Sequence, residues 1–222
     1  MLKTRLSKRL QEIYEMIDDT YPVGWDLCCD HGKLGLALLE GKKCYKVNFV
    51  DQVPGITEKL VNYISKIPKL NSKSYSIETM DAAKIQPTDE SLVCLCGVGG
   101  DVAISILSSI IKYQGARDCT FVISAQYQLF ELRRFLDQAG FGLIKERLIF
   151  EGKWGYEVLV VKLGERESID NVGSNLLDLN CPKTIQYFKK LVNHYERKSH
   201  SDEESKLILH HYKKLLIGKN LK

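Results

Sequence analysis

Residues 25–51 read WDLCCDHGKLGLALLEGKKCYKVNFVD, and the way they group decides the fold. WDLCC (25–29) is a short apolar run, a helical pattern follows from about Lys33 to Leu39, and YKVNFV (45–50) is a second apolar run closed by Asp51. Two short strands separated by one helix predict a parallel pair with the helix as its crossover. Toward the C-terminus the alternation repeats. A helix over about 55–66 is followed by the strands SKSYSIE (72–78) and SLVCLC (91–96), then by a helix from about Gly100 to Lys112. CTFVIS (119–124) and a helix from about Leu129 to Ala139 complete the run. Such units specify a largely parallel sheet covered on both faces. On the N-terminal side, Leu6, Leu10, Ile13 and Ile17 recur at helical spacing, which predicts an amphipathic helix over 4–19 stopped by Pro22 and Gly24.

The pattern breaks over 141–163, where GLIKERLIFE and GYEVLVVKL are joined by Gly152, Lys153 and Trp154 with no room for a helix. A parallel pair needs a crossover of about a dozen residues, so these strands form an antiparallel hairpin. Five βα units and a terminal antiparallel hairpin give an α/β, seven-stranded, Rossmann-like sheet, which resembles the methyltransferase fold in topology. From Gly164, GERESIDNVGSN reads as a linker. Two helical patterns follow, about Pro182 to Arg197 and Asp202 to Ile217, with apolar stripes at Leu191 and Tyr195, then at Leu207, Ile208, His211, Leu215 and Leu216. The expected organisation is a sheet domain over 1–164, then a linker and a basic antiparallel helical hairpin over 165–222.

With 222 residues, 44% hydrophobic and 27% charged, the chain is an ordinary globular sequence, which excludes fibrous and largely disordered classes. Its seven cysteines form no CxxC pair, so neither a disulfide framework nor a zinc site is expected, and most read as buried thiols. No run of about 18 apolar residues occurs, and MLKTRLSKRLQEIYEMI mixes charge into its apolar residues, which points to a cytoplasmic protein with no membrane partner. Charge is uneven. From Lys183 onward ten Lys or Arg face four Asp or Glu, while Lys3, Arg5, Lys8 and Arg9 crowd the other end. Two basic ends suit an anionic partner such as nucleic acid, and they suit a solvated helix face equally well.

In doubly wound sheets, ligands bind beyond the carboxyl ends of the strands. The loop after the first strand carries Asp26, Asp30, His31, Gly32 and Gly35, with glycines that permit close backbone approach. The absence of GxGxxG and the presence of Asp30 argue against a pyrophosphate and for a ligand with an ammonium group. Asp51, with its neighbour Gln52, ends the second strand, where a carboxylate can accept ribose hydroxyls. Asp81, followed by Ala82, comes after the third strand; it could accept adenine amino hydrogens or cap a helix. Gly97, Val98, Gly99 and Gly100 follow the fourth strand and give the backbone room for a ligand. All these positions are expected along one rim. His31 reads as a pin for the first loop through a backbone hydrogen bond, or as a bridge between two ligands. Cys28, Cys29, Cys94 and Cys96 read as packing groups.

These residues resemble a known family, the bacterial tRNA methyltransferases that modify N1 of adenine 22. D-L-C-C-D-H-G-K-L at 26–34 is similar to that family's D-I-G-S-D-H-A-Y-L, and Cys96 to Gly100, C-G-V-G-G, to its A-G-M-G-G. Leu132-Arg133-Arg134-Phe135-Leu136, Gly140 and the stretch from Gly152 to Glu157 match its later segments. Cys28 stands where the family has its first glycine, and Ser124-Ala125-Gln126 stands in place of Q-P-N. The resemblance implies S-adenosyl-L-methionine as methyl donor, held by the rim residues including Cys28, and tRNA as acceptor. It also implies a low demand on acid–base groups, because adenine N1 already carries a lone pair. Asp101 or a carbonyl of the 97–100 loop is then the expected acceptor for the adenine N6 hydrogens. Gln126, Lys189 and Lys190 are the expected contacts to RNA; Tyr127, or Trp154 with Tyr156, could stack on the target base, with core packing the favoured role for each. A protein or small-molecule acceptor, or a silent RNA-binding protein on the same fold, are the competing readings.

Overall fold

The computed structural model describes residues 3–68 and 70–219. A short helix, α1 (Lys8–Glu15), opens the chain, capped by the Ser7 hydroxyl on the Leu10 N–H. It is shorter than the apolar spacing predicts. Lys43 Nζ, far along the chain, donates to the Tyr14 carbonyl in its last turn (3.0 Å) and to the Ile17 carbonyl just beyond it. Pro22 and Gly24 do not mark its end, since both lie within the first strand, β1 (Tyr21–Leu27). Ile13, Met16 and Ile17 are buried all the same and fix this segment to the core.

The βα order then runs as α2 (Lys33–Glu40), β2 (Cys44–Asp51), α3 (Pro54–Ile64), β3 (Tyr75–Thr79), β4 (Leu92–Cys96), α4 (Gly100–Ile110), β5 (Thr120–Ser124) and α5 (Leu129–Gln138). Five βα units are expected and four are present among the described residues, because a short turn, Ala82–Lys84, stands between β3 and β4 in place of an α-helix. The hairpin β6 (Phe141–Glu151) and β7 (Trp154–Leu163) closes it through a two-residue turn, Gly152-Lys153. Strand order is β3-β2-β1-β4-β5-β7-β6. The first five strands are parallel; β7 runs antiparallel to β5, and β6 antiparallel to β7. Strands buried on both faces need no polar alternation. Accordingly, Val93, Cys94 and Leu95 of β4 and Phe121, Val122 and Ile123 of β5 are all fully buried. This order brings the carboxyl ends of β1, β2, β3 and β4 side by side on one edge.

The hairpin is fastened to α5 by a buried ion-pair cluster. Arg133, with its side chain 0% exposed, donates from Nε to Glu157 (2.7 Å), and its Nη2 lies 2.5 Å from Glu146. Burial works against the guanidinium charge, but the two carboxylates outweigh it and hold its pKa above the ordinary arginine value. The segments 132–136 and 152–157 thus serve the architecture, with Arg133 and Glu157 joining them across the sheet.

The chain divides into two compact units between Ser168 and Ile169. In the second, α6 (Pro182–Lys198) and α7 (Glu203–Gly218) pair along Phe188, Val192 and Tyr195 on one helix and Ile208, Tyr212 and Leu216 on the other. Tyr195 and Tyr212 stack at 5.8 Å between ring centroids. Of the stripes expected from apolar spacing, Tyr195, Ile208 and Leu216 are buried and the remaining positions are corrected. Leu207 is 49% exposed and Leu191, His211 and Leu215 are half-buried, because the stacked aromatics set the rotation of both helices. The stretch expected as a linker is also more structured. Ile169, Val172, Leu176 and Leu177 are buried, and Asp170 accepts from the Ser174 N–H at 2.6 Å.

Candidate functional site

β1 delivers Asp26 to the carboxyl edge and the chain then turns sharply. Cys28 (φ 53°), Asp30 (φ 47°) and Gly32 (φ 62°) all have left-handed backbones before α2 begins. Only glycine adopts this region freely, and a side chain there costs on the order of 1–3 kcal/mol. The turn is held open by the next strand: Cys29 donates to the Val50 carbonyl (3.2 Å) and the Asp30 N–H to Asp51 Oδ2 (3.3 Å). Asp51 Oδ1 accepts from the Val53 N–H (3.0 Å), so this carboxylate organises both the first loop and the entry to α3.

Asp26 is 5% exposed and accepts one hydrogen bond, from the Gly35 N–H to Oδ2 at 2.9 Å. Burial pushes its carboxyl up to about 7; the Gly35 bond works against this and the Asp51 charge adds to it. Gly35 is required for this contact, since a Cβ there would lie 2.4 Å from the Phe49 ring and 2.9 Å from Asp26 Oδ2. Its close approach is to the protein's own core, which corrects the expectation of an approach to a ligand.

The glycines after β4 divide in the same way. A Cβ on Gly99 would meet the Tyr127 ring at 2.4 Å, and one on Gly100 the Gln128 carbonyl at 2.5 Å, so both are packing positions. Gly97, at φ 102°, is different, because a Cβ there would have only Arg9 Nη2 (3.8 Å) and Gln126 Nε2 (4.0 Å) within reach. The loops after β4 and β5 are stitched together. Gly97 N–H donates to Ser124, Gln126 N–H to Val98 and Gly100 N–H to Tyr127. Gln126 Nε2 donates to the Gly97 carbonyl (2.6 Å), and the Asp101 N–H to Gln128 Oε1 (3.1 Å).

Between these loops lies a cavity of about 280 Å³, whose lining includes Asp26, Cys28, Asp30, Gly97, Gln126 and Arg9. Arg9 enters from α1. Its guanidinium lies 4.7 Å above the Tyr156 ring centre, and its buried Nε has no hydrogen-bond partner. Its backbone N–H donates to Glu151 at 3.0 Å, a bond that, ahead of lesser contacts, holds the Glu151 carboxyl below its usual range. The cavity therefore combines carboxylates with one guanidinium. Its thiols are inert: burial pushes Cys28 up to about 11 and Cys96 up to about 12, and the Arg9 charge only partly offsets the latter.

A family model described as a methyltransferase domain matches residues 6–159, the span of the sheet and its helices. The chain belongs to the methyltransferase-domain family. Several solved structures share the fold of this methyltransferase-domain protein. The Bacillus subtilis m1A22 tRNA methyltransferase TrmK is 20% identical, with a TM-score of 0.76 over 97% of this chain and 99% of that one. Streptococcus pneumoniae Sp1610, a candidate tRNA (m1A22) methyltransferase solved with S-adenosyl-L-methionine, is 20% identical at a TM-score of 0.76 over 96% and 100%. Mycoplasma capricolum TrmK, solved with S-adenosyl-homocysteine, is 14% identical at 0.72 over 94% and 93%. At these identities the likeness is one of fold. No curated protein matches the sequence.

Within the methyltransferase domain, Asp26, Cys28, Asp30, His31, Gly97 and Gln126 come together on the cavity. His31 is corrected as a pin: its side chain is 74% exposed, and its Nε2 faces Asp30 Oδ2 at 3.7 Å, not a backbone carbonyl. Asp51 is buried beneath the first loop with Gln52 exposed beside it, and Gly32 packs on Leu60. Asp81 is exposed and caps the short turn after β3 through the Ala83 N–H (2.9 Å), with Ala82 buried behind it. Val98 is half-buried in the stitched loop. Asp101 is exposed on the first turn of α4 and is not among the cavity's lining residues. Tyr127 is 54% exposed, and Trp154, 62% exposed, sits at the hairpin turn with Lys153 over its ring. Tyr156 reaches the cavity's edge only through Arg9. Lys189 and Lys190 are exposed on α6 in the second unit.

Sequence reasoning counted Arg9 only as part of a basic end. Its signal was available, because Arg9 falls among Leu6, Leu10 and Ile13 on the apolar side of the helical pattern. An arginine there must reach past the core to a partner or a cavity.

Proposed function

We propose that this protein transfers a methyl group from S-adenosylmethionine to N1 of an adenine in tRNA, position 22 being the expected target. The observation that carries the reading is the donor set of the cavity beside the strand-end acid Asp51. Arg9 brings a buried Nε that lacks a partner, which suits a carboxylate. Asp30, which lines the same cavity with its side chain 68% exposed, suits an ammonium group, so the two match the ends of an amino acid. Asp51 spends one bond per oxygen on backbone N–H groups and keeps lone pairs for a ribose diol.

The donor supplies an electrophilic methyl on a sulfonium. The chain's own work is placement. Adenine N1 needs no base to free its lone pair, so aligning it with the methyl supplies much of the rate. Gln126 is the acceptor-side residue: its amide is fixed by donating to the Gly97 carbonyl, which leaves Oε1 to accept an adenine N6 hydrogen. This role passes to Gln126 from Asp101. Paired adenine hides N1, so the base must enter unpaired or flipped, and exposed Tyr127 offers a face for it. Burial raises the Cys28 and Cys96 thiols and so disfavours their thiolates as competitors for the methyl. The likeness in fold to TrmK, the B. subtilis m1A22 tRNA methyltransferase, supports the choice of acceptor.

The test is direct. The full chain is incubated with an unmodified bacterial tRNA transcript and methyl-labelled donor, and the modified nucleoside is mapped. Label on one adenine N1 is expected; label confined to protein or to small molecules refutes the reading.

A further inference from the structure

A second groove, of about 540 Å³, lies on the far side of the first loop, between that loop, the N-terminal segment and α3. Its floor is apolar, from Ile56 and the buried Leu60, and its lining carries three cations, Arg5, Lys33 and Lys59. Tyr63 stands in one wall with 53% of its surface exposed. The single acid among its lining residues, Asp30, faces His31 Nε2 at 3.7 Å and stands in the wall shared with the cavity, where its carboxylate is the proposed partner of the donor's ammonium group. The N-terminal wall is a built one: the Glu40 carboxylate accepts from the backbone N–H groups of Lys3 (2.7 Å) and Thr4 (2.9 Å) and from the Thr4 hydroxyl (3.0 Å). Asp30, His31 and Lys33 line both this groove and the 280 Å³ cavity.

We infer that this groove holds the single-stranded nucleotide adjacent to the target adenine, its base against Tyr63 and its phosphates between Arg5, Lys33 and Lys59. The inference rests on the reading that the acceptor is RNA. A mixed surface of apolar floor, open aromatic face and clustered cations matches the two halves of a nucleotide, since bases stack on aromatic side chains and phosphates need positive charge. The shared wall supplies continuity. A nucleotide turned into the cavity leaves its chain neighbour on the other side of Asp30-His31-Lys33, where the groove opens. Neither the apolar floor nor the exposed tyrosine is needed for a donor held over Asp26 and Asp51.

The experiment uses the full chain and an unmodified tRNA transcript, with RNA affinity followed as a function of salt, donor affinity by calorimetry and methyl transfer by label. Joint Arg5→Gln and Lys59→Gln substitution is expected to flatten the dependence of log affinity on log salt by about 1.4, at about 0.7 per phosphate on a single strand. Tyr63→Ala is expected to weaken RNA binding about tenfold with the salt dependence unchanged, within the range for base stacking. Tyr63→Phe should bind as the parent does, and all variants should keep donor affinity and thermal midpoint, because the side chains are on the surface. Unchanged RNA affinity and salt dependence in every variant, with the parent still methylating tRNA, overturns the groove and leaves the proposed activity standing. A parent that binds no RNA and labels a protein instead overturns both.

Discussion

Replacing Asp26 by asparagine should stabilise the protein in a pH-dependent way. The carboxyl is almost wholly buried and is raised from 3.8 to about 7, chiefly by that burial. A native pKa above the unfolded one means that the folded chain binds more protons, so stability is greatest at low pH and is lost as pH rises from about 4 to about 7. At about 1.4 kcal/mol per tenfold change in proton affinity, the full loss is about 4 kcal/mol. Asparagine carries no charge, and its side-chain oxygen can still accept the Gly35 N–H that Asp26 Oδ2 accepts now at 2.9 Å. Urea unfolding of both proteins from about pH 5 to pH 8 isolates this one group, because every other titration cancels in the difference. The asparagine variant should gain on the parent by about 3 kcal/mol across that range, with the gap levelling above pH 7. A gap that stays flat with pH, or a variant less stable at pH 8, refutes the account of a desolvated carboxylate. The same titration bears on ligand binding: a cation brought next to Asp26 favours its ionised form, so donor affinity should rise from pH 6 to pH 8 in the parent but not in the variant.

Arg133→Met strands Glu146 and Glu157 without their partner in a buried position, and should cost about 3–5 kcal/mol in urea unfolding. Adding Glu146→Leu and Glu157→Leu should recover most of that loss. Cys28→Gly removes a side chain from a left-handed backbone at φ 53°, and a gain of about 1 kcal/mol is expected, net of the greater freedom of glycine in the unfolded chain. A loss of similar size would show that the thiol's packing outweighs the strain. Asp51→Ala takes the acceptor from the Asp30 and Val53 N–H groups and from the proposed ribose site. Calorimetry should show donor binding weakened about ten- to a hundredfold, as for charged hydrogen bonds, with tRNA affinity held within about twofold.

The βα order and the closing hairpin were legible because each rests on local composition: apolar runs of strand length, helical spacing between them, and a turn too short for a crossover. The edge on which Asp26, Asp51, Asp81 and Gly97 emerge followed from that order. What stayed hidden depends on partners distant in the chain. α1 stops at Glu15, short of the expected span, and Lys43, which ties down the Tyr14 and Ile17 carbonyls there, is distant in sequence. Arg133 and Glu157 stand out as motif residues, but nothing in their spacing distinguishes a buried ion pair from a binding group. Gly97 does open on the cavity, but Gly99 and Gly100 look the same in sequence, because their real neighbours, Tyr127 and Gln128, come from another loop. In the helical pair, leucine spacing alone missed the rotation that Tyr195 and Tyr212 impose by stacking.

The stitching between the β4 and β5 loops has a consequence for engineering this rim. Gly99 and Gly100 admit no larger residue while Tyr127 and Gln128 stay in place, and Gln126 is bonded at both backbone and side chain to the opposite loop. A graft of either segment alone would leave mismatched halves. Variation among homologous enzymes should accordingly be inherited in pairs, with a new residue at 126–128 accompanied by a change at 97–100, and a library built on one loop at a time should yield mostly inactive clones.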